Sequence, residues 1–149
     1  MGYNSRLDDL HAGILSVKLG HIDTWNDQRR ALARQYDEML KDTSLKLPYE
    51  TPGYRHVYHL YVIETKPEKR DNLLAFLNDN GINAKCHYPI AIHQQEGYPW
   101  GQDAVPNPHL PATEANAACC ISLPMYPELT HDELQYTVDT IRDWEQTNQ

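Results

Sequence analysis

Cationic charge is scarce in this 149-residue chain: Lys and Arg total 13 against 21 Asp and Glu, a net charge of −8. Such a chain has no general attraction to phosphate backbones or to anionic membrane surfaces, so neither a nucleic acid nor a membrane is expected as a partner. Long apolar runs are missing too. The longest, Ala117 to Ile121, has five residues, far short of the roughly 20 that span a bilayer. The N-terminus lacks both the basic stretch and the apolar stretch of a secretory leader. Cysteine is sparse and odd in number, three in all, with Cys119 and Cys120 adjacent. That usage predicts reduced thiols in a cytoplasmic protein and argues against a disulfide framework. The 7 glycines are scattered, which leaves no glycine-rich phosphate loop. There is no G-x-S-x-G elbow, and neither Cys86-His87 nor Cys119-Cys120 has the C-x-x-C spacing of a structural zinc site.

What is present is ordinary globular material, 40% hydrophobic and 23% charged, in a length that suits one domain over residues 1–149. Leu7, Leu10, Ile14 and Val17 recur on one helical face, and Ile22, Trp25, Leu32, Tyr36 and Met39 continue the pattern. Ser5 followed by Asp8 suggests a capping box at its start. A straight helix from 7 to 40 would measure about 51 Å. The whole domain should be roughly 38 Å across, so the helix must bend or overhang, with Gly20 the expected break. His56 to Thr65 and Ile82 to Tyr88 read as strands. Between them a short helix carries Leu73, Leu74, Phe76 and Leu77 and ends at Asn80-Gly81. Pro89 to Pro111 holds five prolines and reads as mostly irregular. Ala112 to Cys120 is a small-residue helix, and Ile121 to Met125 a short strand. Thr130 and Glu133 cap a last helix whose core face is Leu134, Val138 and Ile141. Helices alternating with strands predict an α/β domain, an α+β sandwich with a small antiparallel sheet.

Two segments carry candidate chemistry. In Gly2-Tyr3-Asn4-Ser5-Arg6, an amide and a guanidinium fork precede a helix N-terminus, an arrangement suited to an anion. Lys85-Cys86-His87-Tyr88-Pro89 stands at a strand end, where side chains commonly meet a ligand. His56 and His59, three apart in the expected strand, would point to opposite faces and could not chelate together. Asp8-Asp9 suits the positive end of a helix dipole.

Gly2-Tyr3-Asn4-Ser5-Arg6-Leu7-Asp8-Asp9-Leu10 resembles the corresponding stretch of DegT/DnrJ-type nucleotide-sugar aminotransferases. The likeness continues at Trp25-Asn26, at His56-Val57-Tyr58-His59-Leu60-Tyr61, at His87-Tyr88-Pro89-Ile90 and at Ser122-Leu123-Pro124-Met125-Tyr126-Pro127. It covers nearly the whole chain in order, but only the smaller, C-terminal domain of such enzymes. The resemblance implies the small domain of a fold-type-I, pyridoxal phosphate (PLP) dependent enzyme that moves an amino group onto a keto-sugar nucleotide. It also implies that the catalytic lysine belongs to a large domain not represented here, since none of Lys18, Lys41, Lys46, Lys66, Lys69 and Lys85 matches it. No catalytic residue, metal ligand or bound cofactor is therefore expected in this chain alone.

By the same resemblance, Asn4 corresponds to an asparagine that reaches across a dimer interface to the PLP phosphate of the other subunit. Arg6 corresponds to an arginine able to meet an anionic substrate group. His87 and Tyr88 match a pair that comes near the sugar. Contacts of this kind contribute about 1–3 kcal/mol each, too little to retain a cofactor without a covalent link. Leu7, Leu10, Ile14 and Leu15 are the candidates for an uncovered apolar patch, which predicts a homo-oligomer formed through the first helix. A separate large-domain partner, as in a split enzyme, and a stand-alone module binding a nucleotide sugar or a protein are the other readings left open.

Overall fold

A computed structural model describes residues 6–95 and 109–148. The N-terminal helical run is divided at the break expected at Gly20. Helix α1 covers Asp9–Leu19 and α2 covers Ile22–Leu40. Gly20 at the break keeps right-handed helical dihedrals, and a Cβ there would meet only the Val17 carbonyl oxygen at 3.5 Å. The interruption therefore does not depend on glycine's conformational freedom. The cap of α1 is Asp8, whose carboxylate accepts the His11 amide at 2.9 Å. This replaces the Ser5 cap expected from the sequence; Ser5 lies outside the described residues.

The sheet has two antiparallel strands, β1 (Tyr61–Glu64) and β2 (Cys120–Leu123), in the register Tyr61↔Leu123 to Glu64↔Cys120. Single bridges widen it on either side, Lys46 against Glu64 and Lys85 against Ser122. The strand expected at 56–65 is thus shorter than its residue types suggest, and the one expected at 82–88 is reduced to the Lys85 bridge, for a local reason in each case. At 56–60 the His56 ring accepts the Tyr58 amide at 2.8 Å, and Tyr58 takes a left-handed φ of 47°. A side chain has diverted the donor that a ladder would need. His56 and His59 therefore do not occupy opposite faces of a strand. At 82–84 the Ala84 amide bonds back to the Ile82 carbonyl at 2.7 Å, and the Asn78 side chain takes the Ala84 carbonyl at 3.2 Å. That tight turn leaves only Lys85 to pair with β2.

Helix α3 (Pro67–Asp79) opens with proline in its first turn and is followed by Gly81 at φ 77°, where a residue with a Cβ would be strained. Helix α4 (Pro111–Cys119) runs directly into β2, and α5 (His131–Thr147) closes the domain. The α5 capping box is complete: Glu133 N–H reaches Thr130 Oγ1 at 3.3 Å, and Thr130 N–H reaches Glu133 Oε2 at 2.8 Å.

One core joins these parts. Leu32, Tyr36 and Leu40 of α2, Tyr61 and Ile63 of β1, and Leu73 and Leu77 of α3 meet Leu134, Val138, Ile141 and Trp144 of α5 around Ile121. The periodic faces predicted for α3 and α5 are the buried ones. In α2 the face is buried only from Leu32 onward; Ile22 is 38% exposed. Helix α1 buries no residue at all.

Candidate functional site

The pairing of Lys85 with Ser122 builds a cleft with polar and apolar walls. Ser122 is buried in β2, yet its Oγ lies 2.9 Å from Nδ1 of His87. Backbone bonds between Lys85 and Ser122, at 3.1 and 2.7 Å, hold the two segments together beneath that contact. His87 is thereby oriented by a hydroxyl that donates to, or accepts from, the ring according to tautomer. Across the cleft stand Tyr126 and, on the first two turns of α5, Glu133 and Tyr136, with Leu123 and Met125 supplying apolar walls. The space between is about 470 Å³, within the range of small-molecule sites. Glu133 is held below the usual carboxylate range by the Thr130 amide and hydroxyl, so it presents a negative charge at the rim. The arrangement can hydrogen-bond a hydroxylated ligand through Lys85, His87 and Tyr136 and rest an apolar face on Met125.

Tyr88 follows His87 with its ring edge-on, centroids 5.5 Å apart, and is 72% exposed. The structure thus places His87 in the wall of the cleft, while the adjacent Tyr88 is exposed and does not line it. Arg6 is exposed and precedes α1, on a separate element. The Asp8 carboxylate already occupies the amide end of α1, so Arg6 would meet an anion with its own fork rather than with the helix amides. Asn4 lies outside the described residues. Ser122, Tyr126, Glu133 and Tyr136 line this cleft and were not singled out for it by sequence reasoning. Ser122 appeared only inside a motif, and nothing local marks it as the partner of a histidine 35 residues earlier.

A second concavity, about 560 Å³, lies along the junction of α1 and α2 and is lined by Leu7, Ala12, Leu15, Leu19, Ile22 and Trp25. Ser16 and Lys18 are its polar members, and it belongs to the helix that buries nothing.

A short antiparallel sheet backed by helices, led by a projecting N-terminal helix, defines a small α/β domain of the kind carried by aminotransferases. The crystal structure of DesV from S. venezuelae in complex with a ketimine intermediate superposes with a TM-score of 0.86 at 36% identity. That match covers 97% of this chain and 38% of DesV. The model of the DegT/DnrJ/EryC1/StrS aminotransferase family matches residues 1–142, and the chain belongs to that family. It is 41% identical over 152 residues to a "pleiotropic regulatory protein" of Geobacillus stearothermophilus, covering 97% of this chain and 38% of the relative. It is 36% identical over 144 residues to dTDP-3-amino-3,4,6-trideoxy-alpha-D-glucose transaminase of Streptomyces venezuelae, covering 96% and 37%. The chain therefore spans under two-fifths of the length of the curated relatives it matches.

Proposed function

We propose that this chain is the C-terminal domain of a PLP-dependent aminotransferase acting on keto-sugar nucleotides. It serves that reaction with contacts and is not competent by itself. The observation that carries the reading is the family match across residues 1–142, which corresponds to only 38% of the relatives. In this reading Asn4 and Arg6 reach the cofactor phosphate and an anionic substrate group at a neighbouring active site, and His87 and Tyr88 stand beside the sugar.

The donor set of this chain does not fit a complete PLP site. Lys18, Lys41, Lys46, Lys66 and Lys85 are exposed, and half-buried Lys69 stands over the Trp144 ring, 5.9 Å from its centroid. A Schiff-base lysine is activated by enclosure or by a neighbouring cation, and none of these has an enclosed setting. The chemistry of amino transfer is thus assigned to the part of the enzyme that this chain does not match. The apolar groove of α1 and α2 supports an association surface, and the occupant proposed for it is a second copy of this chain.

The test is reduction of a chain–PLP mixture with borohydride, followed by mass spectrometry. The expected result is scattered substoichiometric labelling of surface lysines. A single stoichiometric adduct on one lysine would overturn the reading.

A further inference from the structure

Cys86 and Cys120 are 34 residues apart in sequence, yet their sulfurs lie 3.5 Å apart. They come from different elements: Cys120 is the buried first residue of β2, and half-buried Cys86 follows the Lys85 bridge. A third group joins them from α3. Arg70 Nη1 donates to Cys86 Sγ at 2.9 Å. Its side chain is only 13% exposed. Arg70 Nε is 2.7 Å from Asp71 Oδ1 but out of line for a hydrogen bond, and Asp71 is 84% exposed. The guanidinium is thus shared between the Asp71 carboxylate beside Nε and the Cys86 sulfur at Nη1. The thiolate is the nucleophilic form of a cysteine, and an Arg70 N–H already points at the Cys86 sulfur. Burial, with the neighbouring Cys86 second, pushes the Cys120 thiol up to about 11, so Cys120 keeps its proton. The two cysteines are thus unlike: one half-buried and hydrogen-bonded to Arg70, the other buried and protonated. Metal ligation does not account for them, since no cluster of three or more His, Cys, Asp or Glu ligands occurs among the described residues.

We propose that Cys86 and Cys120, with Arg70 beside them, form a hydroperoxide-responsive thiol pair that closes to an intramolecular disulfide. The Cys86 thiolate attacks one oxygen of the hydroperoxide; the O–O bond breaks and the other oxygen leaves as hydroxide or alkoxide. Cys86 is then a sulfenic acid, two electrons more oxidised. The Cys120 sulfur attacks the Cys86 sulfur, the S–O bond breaks, and the hydroxide leaves with the Cys120 proton as water. The product fastens the segment carrying His87 and Tyr88 to β2. The inference stands apart from the transferase reading, because its test reads thiols and not amino transfer.

The experiment treats the full, reduced chain with hydrogen peroxide and follows free thiols and peptide masses. The expected result is a fall from three thiols to one, a Cys86–Cys120 linked peptide two hydrogens lighter than its parts, and full recovery on adding dithiothreitol. Cys119→Ser is expected to form the same link. Cys120→Ser is expected to stop at a Cys86 sulfenic acid that dimedone traps. Arg70→Met, which removes the hydrogen bond to the reacting sulfur, is expected to slow the loss of thiols by about tenfold, and Arg70→Lys to restore most of the rate. Circular dichroism shows whether each variant is folded, and Cys119→Ser and Cys120→Ser decide the matter if Arg70→Met is not. Sulfinic acid at Cys86 without a link, a bridge containing Cys119, a bridge between two chains, or an unchanged rate in folded Arg70→Met would each overturn the proposal.

Discussion

His93 Nε2 lies 2.9 Å from Glu114 Oε1, and that same carboxylate oxygen accepts the Leu110 amide at 3.0 Å. One side chain on α4 thus ties a buried histidine on the far side of residues 96–108 to the backbone that enters the helix. The Leu110 amide, and after it His93, hold the Glu114 carboxyl below the usual range. A depressed acid adds stability above its unfolded pKa, and the gain disappears as pH falls through the folded pKa. Glu114→Gln is therefore expected to be less stable than the parent at pH 7, with the difference shrinking toward zero in strong acid. Urea unfolding at a series of pH values checks this. A difference that stays constant with pH would show that ionisation of Glu114 plays no part.

Tyr61 is fully buried, stacks on Tyr36 at 4.7 Å, and donates its hydroxyl to Asp37 Oδ1 at 2.7 Å. Burial and the Asp37 partner both raise the phenol's pKa, so the hydroxyl stays protonated as a donor throughout the working range. Tyr61→Phe keeps the ring and removes only the bond, and the expected loss is about 1 kcal/mol. Leu77→Ala empties a fully enclosed site between α3 and α5, and the expected loss there is about 2–5 kcal/mol. The ranking of the two variants in chemical denaturation is the check.

The Thr130–Glu133 capping box isolates a terminal effect from the core. Removing the Thr130 hydroxyl leaves the Glu133 amide without its side-chain partner at the start of α5, so Thr130→Ala is expected to lose about 1 kcal/mol. Thr130→Ser, which keeps the oxygen, should restore most of it. Urea midpoints of the three proteins, with unchanged slopes, are the measurement.

These elements also show what a sequence can disclose. The α5 cap and the Asn80-Gly81 stop of α3 were legible because their signals are local: an oxygen three residues before its partner, or a glycine able to take φ 77°. The break in the first helical run was legible from its length together with the glycine at position 20. The extents of β1 and of the 82–88 segment were not, because Val, Tyr and Ile content does not reveal that the His56 ring or the Asn78 amide will take a backbone group. The candidate site divides in the same way. His87-Tyr88 stood out as a strand end, whereas the Ser122 hydroxyl that orients His87, and the Arg70 fork on Cys86, depend on registers between distant segments.

Helix α1 supplies the last prediction. Leu10, Val17 and Leu19 are each at least 70% exposed, and none of its residues is buried. The apolar groove it shares with α2 continues that surface through Leu15, Ile22 and Trp25. Contiguous exposed apolar surface is a common place for association, and under the reading proposed above its occupant is a second copy of the chain. Sedimentation equilibrium is expected to show concentration-dependent dimers in the micromolar range for the parent. Leu15→Glu with Leu19→Glu should give monomers. Since neither leucine is part of the core, the double variant should unfold at the same urea concentration as the parent measured at a dilution where both are monomers. A parent that stays monomeric at high micromolar concentration would remove the second copy as the occupant of this surface.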